Sequence, residues 1–132
     1  MTVQIVWGND DHTLIISRFI SPWNANELMH VIDEGIRMIS TVSHKVDVII
    51  DFQQAKAQIP TQYLPVVMRM RQIGLMNRGR MVVVGAPYFI QSLIKFAQEF
   101  APVAYANLYF ASDLKAAEAT LEAKRENRAE VF

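Results

Sequence analysis

Two runs constrain this chain more than anything else in it: Val46-Asp47-Val48-Ile49-Ile50-Asp51-Phe52 and Arg80-Met81-Val82-Val83-Val84-Gly85. Both are rich in β-branched residues and nearly continuous in apolar character. A strand with one wet face alternates apolar and polar residues, so unbroken runs of this kind belong to strands covered on both sides. Segments of helical period lie before, between and after them. Strand and helix therefore alternate at the spacing of βαβ units, which makes most of the sheet parallel.

The flanking segments complete the order. A short β-rich run at 3–7 and a second at 13–20 are joined by Gly8-Asn9-Asp10-Asp11-His12, which reads as a β-hairpin with a five-residue loop. Ser21-Pro22 opens a first helix, with Ser21 as cap and Pro22 at the first helical position; Asn24 and Glu27 offer a second cap with capping-box spacing. Leu28, Ile32, Ile36 and Ile39 recur along that helix at helical spacing. Pro60-Thr61 starts a second helix, stopped by Asn77-Arg78-Gly79. Ala86-Pro87 leads into a third from Tyr88 to about Phe100, Ala106 to Phe110 forms a last strand, and Ser112 caps a final helix. The expected fold is α/β: one open, mixed, mostly parallel five-stranded sheet with about four helices, in the order β-β-α-β-α-β-α-β-α, built as a single domain over 1–132. The hairpin makes the first strand an antiparallel edge.

This order resembles the STAS family, the fold of bacterial anti-sigma-factor antagonists. The resemblance is carried by the hairpin leading through Ser21-Pro22-Trp23 into a long first helix and by the buried strand ending Asp51-Phe52. It is carried also by the closing Tyr109-Phe110-Ala111-Ser112-Asp113-Leu114-Lys115-Ala116-Ala117, where a strand runs into a Ser-Asp-capped helix. It implies a regulatory, protein-binding domain. Phosphorylatable members carry Asp-Ser-(Ser/Thr)-Gly at the start of the second helix; here that region reads Gln58-Ile59-Pro60-Thr61-Gln62-Tyr63. Thr61 is accordingly read as a structural cap and not a phosphoswitch. STAS-like domains that bind lipids or other apolar ligands also lack the motif.

The chain has no cysteine, which removes disulfides, thiolate zinc sites and a cysteine nucleophile together, and fits a reducing cytoplasm. No N-terminal targeting pattern and no run approaching the ~18 apolar residues of a membrane span is present. No catalytic set emerges. His12, His30 and His44 fall in a turn, a helix and a loop with no nucleophile-elbow motif, and Gly74, Gly79 and Gly85 are too scattered for a phosphate loop. His30 and Glu34 have metal-ligand spacing but no third ligand. Asp47 and Asp51, four apart on one strand, stand ~13 Å apart, too far for an acid–base pair. The reading is a non-enzyme without cofactor or metal.

Charge is neutral in total and uneven in place. Residues 1–51 carry seven acids and three bases, for −4; residues 52–98 carry six bases and no acid, for +6; residues 99–132 carry six acids and four bases, for −2. Within the basic stretch Arg71 and Arg78 lie one heptad apart, on one face if the second helix persists. Such a patch can hold phosphate, lipid headgroups or an acidic protein, or it can pair internally with the acidic first helix. Nucleic-acid binding is not expected of a neutral chain.

Two surfaces follow as candidates. Mostly parallel sheets bind ligands at the carboxyl ends of their strands, which here supply Ser21, Trp23, Asp51, Gln53, Tyr88, Ser112 and Asp113, with Thr61 nearby. The third helix carries Phe89, Leu93, Phe96 and Phe100 in one stripe, widened by Ile90, Ile94 and Ala97 beyond a single core face. Deep burial explains that width, and so does a protein or homodimer contact through an exposed edge, either Ile90 and Ile94 or Phe96 and Phe100. The candidate partner or ligand surface is therefore Ser21, Trp23, Asp51, Thr61, Arg71, Arg78, Tyr88 and Ile94. Two functions stay open: a regulatory protein-interaction module, and a carrier or sensor of a small apolar or amphiphilic ligand such as a lipid.

Overall fold

A computed structural model describes residues 3–20, 23–55, 63–74 and 76–130. The elements run β1 (Val3–Trp7), β2 (Leu14–Ile20), α1 (Ala25–Ser40), β3 (Val46–Gln54), α2 (Tyr63–Gly74), β4 (Arg78–Val84), α3 (Tyr88–Phe100), β5 (Leu108–Ala111) and α4 (Leu114–Glu130). The order is the expected one. The five strands form one sheet in the order β1-β2-β3-β4-β5, with β1 antiparallel to β2 and every later pair parallel.

This unreversed order decides where the layers lie. Right-handed crossovers that all step the same way place α1, α2 and α3 on one side of the sheet. The main core records this: Leu28, Ile32 and Ile39 of α1, Ile73 of α2, and Ile90 and Ile94 of α3 share a cluster with Ile15, Phe19, Val48, Phe52, Met81 and Val83. On the opposite face Ile49, Val82 and Val84 pack against Ala117 and Leu121 of α4 alone. The two continuous apolar runs are thus explained, since β3 and β4 lie between both layers.

Local chemistry sets the boundaries. Asn24 caps α1, its Oδ1 accepting the Glu27 N–H at 2.9 Å; Ser21, the other candidate cap, lies outside the described residues. The last helix is capped not by Ser112 but by Asp113, which accepts the Ala116 N–H at 2.7 Å. A carboxylate beside a helix N-terminus is favoured over a hydroxyl by the helix dipole. The hairpin loop is one residue longer than read, 8–13, and it is His12 that takes positive φ. Arg78 and Gly79, read as a helix stop, open β4. Gly79 is required there because a Cβ would stand 2.3 Å from the Asp47 carboxylate, which accepts the Arg80 N–H at 2.7 Å. No helix among the described residues is long and apolar enough to cross a membrane.

Candidate functional site

Among the described residues, the carboxyl ends of the strands bury two of the expected site residues, Trp23 and Asp51, and leave Gln53, Tyr88, Ser112 and Asp113 exposed. The crevice that parallel sheets offer to ligands forms where strand order reverses, and this sheet has no reversal. Trp23 is buried at 2% exposure, edge-on to Phe19 with ring centroids 5.4 Å apart, and is a core anchor rather than a surface group. Asp51 is also buried. Its carboxylate accepts the Gln53 N–H at 2.8 Å and lies 3.4 Å from Arg18 Nε on the neighbouring strand, so it fixes the end of β3. Tyr88 remains at the surface, 85% exposed. Ser21 and Thr61 lie outside the described residues.

The basic stretch separates into unrelated roles. Arg69 of α2 pairs with Asp33 of α1 at 3.3 Å, the internal pairing with the acidic helix that the charge pattern allowed. Arg78 is not on the α2 face. The helix ends at Gly74, and Arg78 turns inward at the start of β4, where its Nη2 donates to the carbonyls of Ala104 at 3.0 Å and Ala106 at 2.9 Å. Burial lowers its pKa from the ordinary guanidinium value, against the attraction of Asp47 and Tyr105. Arg78 thus holds the α3–β5 connection to the sheet and is withdrawn from any surface. Arg71 and Lys95 are exposed and form no ion pair among the described residues.

The helix α3 resolves its two stripes. Ile90, Ile94 and Ala97 face the core, so Ile94, at 6% exposure, is not part of a partner surface. They lie on the side that the crossover turns toward the sheet. Phe89 and Leu93 are partly buried against the same core. Phe96 and Phe100 stand outside, 55% and 54% exposed, with ring centroids 6.5 Å apart and planes within 10°. Beyond Phe100 the chain turns through Pro102 and Val103, the latter 78% exposed. A groove of about 300 Å³ opens there, lined by Arg71, Phe100, Ala101, Pro102, Val103 and Ala104.

This groove lies at the amino end of the parallel strands, opposite the expected site. It joins an exposed aromatic pair and an exposed aliphatic residue to a guanidinium that has no ion-pair partner among the described residues. The floor is fixed: Ala104 is gripped through its carbonyl by Arg78 and crowds Gly74, where a Cβ would fall 1.8 Å from the Ala104 oxygen. Tyr105 is buried beside it, its pKa pushed up to about 12 by burial despite the nearby Arg71 and Arg78. Sequence reasoning found Arg71, Phe96 and Phe100 but missed Val103 and Ala104. The one signal was an apolar Val103 directly after Pro102, outside any periodic segment.

Glu34 bonds Arg37, which lowers its pKa from the ordinary carboxylate value, and His12 stacks on Trp7 with centroids 4.2 Å apart. Among the described residues no group of three or more His, Cys, Asp or Glu is placed to hold a metal ion. Comparison of the chain with family models, with curated proteins and with solved structures returns no match.

Proposed function

We propose that this chain is a non-enzymatic, STAS-like protein-interaction module that works through the groove between α2 and α3. One observation carries the reading: Phe96, Phe100 and Val103 are exposed together beside an Arg71 that has no ion pair among the described residues. Large apolar side chains exposed as a group mark interaction surfaces, and aromatic residues with arginine are the types enriched in them. The rigid floor built by Arg78 suits such a surface, because preorganisation lowers the cost of association. The double variant Phe96→Glu/Phe100→Glu should stay folded by circular dichroism and lose specific association measured by sedimentation or proximity labelling in the native host. Unchanged association in that variant would refute the reading.

A second reading, a carrier or sensor of an apolar molecule, has one observation behind it. Between the three-helix layer and the sheet lie apolar cavities of about 60 and 40 Å³ that share Ser17, Val31, Ile32, Ile50 and Met70 as lining. Ligand sites ordinarily span several hundred Å³. The space suits a very small apolar molecule better than a lipid tail, and no arginine lines it. Native mass spectrometry of the purified protein separates the readings, since a copurified small molecule favours this one.

A further inference from the structure

Resting on the reading of the internal cavities as a carrier or sensor site, we propose that the space between the sheet and α1, α2 and α3 binds a small, neutral, mostly apolar molecule that carries one hydroxyl or carbonyl, and that the hydroxyl of Ser17 is its anchor.

Ser17 lies in the middle of β2, where its neighbours in register are Ile5 on β1 and Ile50 on β3. It is 2% exposed and lines both cavities. Its hydroxyl forms no hydrogen bond among the described residues. A buried hydroxyl without a partner opposes folding, and an alanine would stand in the same place without that penalty. A polar atom kept at the centre of an apolar face, with nothing in the fold to bond, is placed to bond a guest.

The walls decide which guest. No described lining residue of either cavity is charged. Ser17 is the one polar side chain described around the smaller cavity, and Tyr105 alone joins it around the larger. A buried water needs roughly two to four polar partners, more than this space supplies. An ionised ligand would shed its hydration here and meet no opposite charge. A neutral molecule with an apolar body meets neither objection. One hydroxyl or carbonyl on it completes Ser17, which can donate or accept.

Size and access set the scale. The cavities hold about 60 and 40 Å³, and Ile50 and Met70 line both. Ile50 belongs to the central strand and packs toward the helices, yet it is only half-buried, so the helical layer leaves it partly uncovered. Met70 is half-buried as well. Its unbranched thioether can repack around a guest and join the two spaces. A dry apolar cavity of ~150 Å³ takes up benzene. The joined space therefore suits a guest no larger than a single ring.

The test compares phenol with benzene, the same ring with and without a hydroxyl, titrated into the full chain and followed by methyl NMR. Both should bind at roughly millimolar concentration, as expected for so few atoms. Their shifts should centre on the methyls of Ile32, Ile50 and Ile94, which line the larger cavity. Ser17→Ala should weaken phenol by about tenfold or more, because the phenol hydroxyl then has no partner, and should leave benzene unchanged. The variant should melt no lower than the parent, since it loses an unpaired hydroxyl. Failure of both probes to shift these methyls overturns the proposal together with the carrier reading. Binding of both probes with no loss of phenol in Ser17→Ala overturns Ser17 as the anchor and leaves the carrier reading standing. A Ser17→Ala chain that melts several degrees lower, or does not fold, shows that the hydroxyl already serves the fold and overturns the proposal in the same way.

Discussion

Arg71 and Arg78 are the same residue type seven positions apart, and they occupy opposite sides of one packing layer. Arg71 lies on the outer surface of α2 beside an apolar groove; Arg78 lies beneath that groove, bonded to the carbonyls of Ala104 and Ala106. What separates them is the break after Gly74, where the α3–β5 connection presses so closely that no side chain fits. The inner arginine makes the floor rigid, and the outer one is left available. The α3 helix repeats the contrast, with Ile94 inward and Phe96 outward two residues later. Depth below the groove, not residue type or sequence position, decides whether a side chain here serves stability or association.

The largest expected effect is at the inner face of α3. Ile94→Glu places a carboxylate in the core without a partner and should cost more than about 4 kcal/mol, enough to unfold the domain in thermal or urea melts. A folded Ile94→Glu chain would show that α3 is not anchored as described. Arg78→Met keeps the bulk of the side chain but leaves two backbone carbonyls without their donor; it should cost about 2–3 kcal/mol in urea unfolding. A loss below ~0.5 kcal/mol would place Arg78 with Arg71 as a surface residue and erase the comparison.

A pH experiment sharpens the same contrast. The Tyr105 pKa is raised to about 12 in the fold. An unfolded tyrosine ionises near 10. The folded state therefore favours the neutral phenol, so this contribution is complete below pH 10 and disappears as pH rises toward 12. Tyr105→Phe should flatten that alkaline loss in melts taken across this range. The smallest effect belongs outside. Arg71→Ala should change unfolding stability by no more than about 0.5 kcal/mol, while weakening association in sedimentation.

The scaffold was legible in the sequence because its signals are local. Continuous apolar character marked β3 and β4, helical spacing of Leu28, Ile32, Ile36 and Ile39 marked α1, and the alternation gave a parallel sheet with an antiparallel edge. The surface was legible in part. Phe96 and Phe100 stood out as excess, but the chain carries two apolar stripes on α3, and only the direction of the crossover determines which meets the sheet. Periodicity cannot supply that direction, so the sequence alone leaves open whether Ile94 or the Phe96 and Phe100 edge faces outward. Arg78 was misplaced for a similar reason, since its partners are carbonyls about 26 and 28 residues away. Trp23 and Asp51 were sent to the rim by a rule for sheets whose strand order reverses. Here Phe19 and Phe52 draw Trp23 into an aromatic cluster and Gln53 and Arg18 take Asp51. Val103 lay in a turn, where no period exists to flag it.

The unreversed strand order has a consequence in time. Every strand pairs with its neighbour in the sequence, so the sheet can be laid down in the direction of synthesis, each new unit docking on an edge already in place. The two faces then mature at different moments. α1, α2 and α3 close their side as they emerge, but Ile49, Val82 and Val84 wait for Ala117 and Leu121, which come last. Until α4 arrives the nascent chain presents a bare apolar strip on one side of a nearly finished sheet. In that interval the strip of Ile49, Val82 and Val84 has no helix to cover it, and exposed apolar strand surface of this kind favours aggregation.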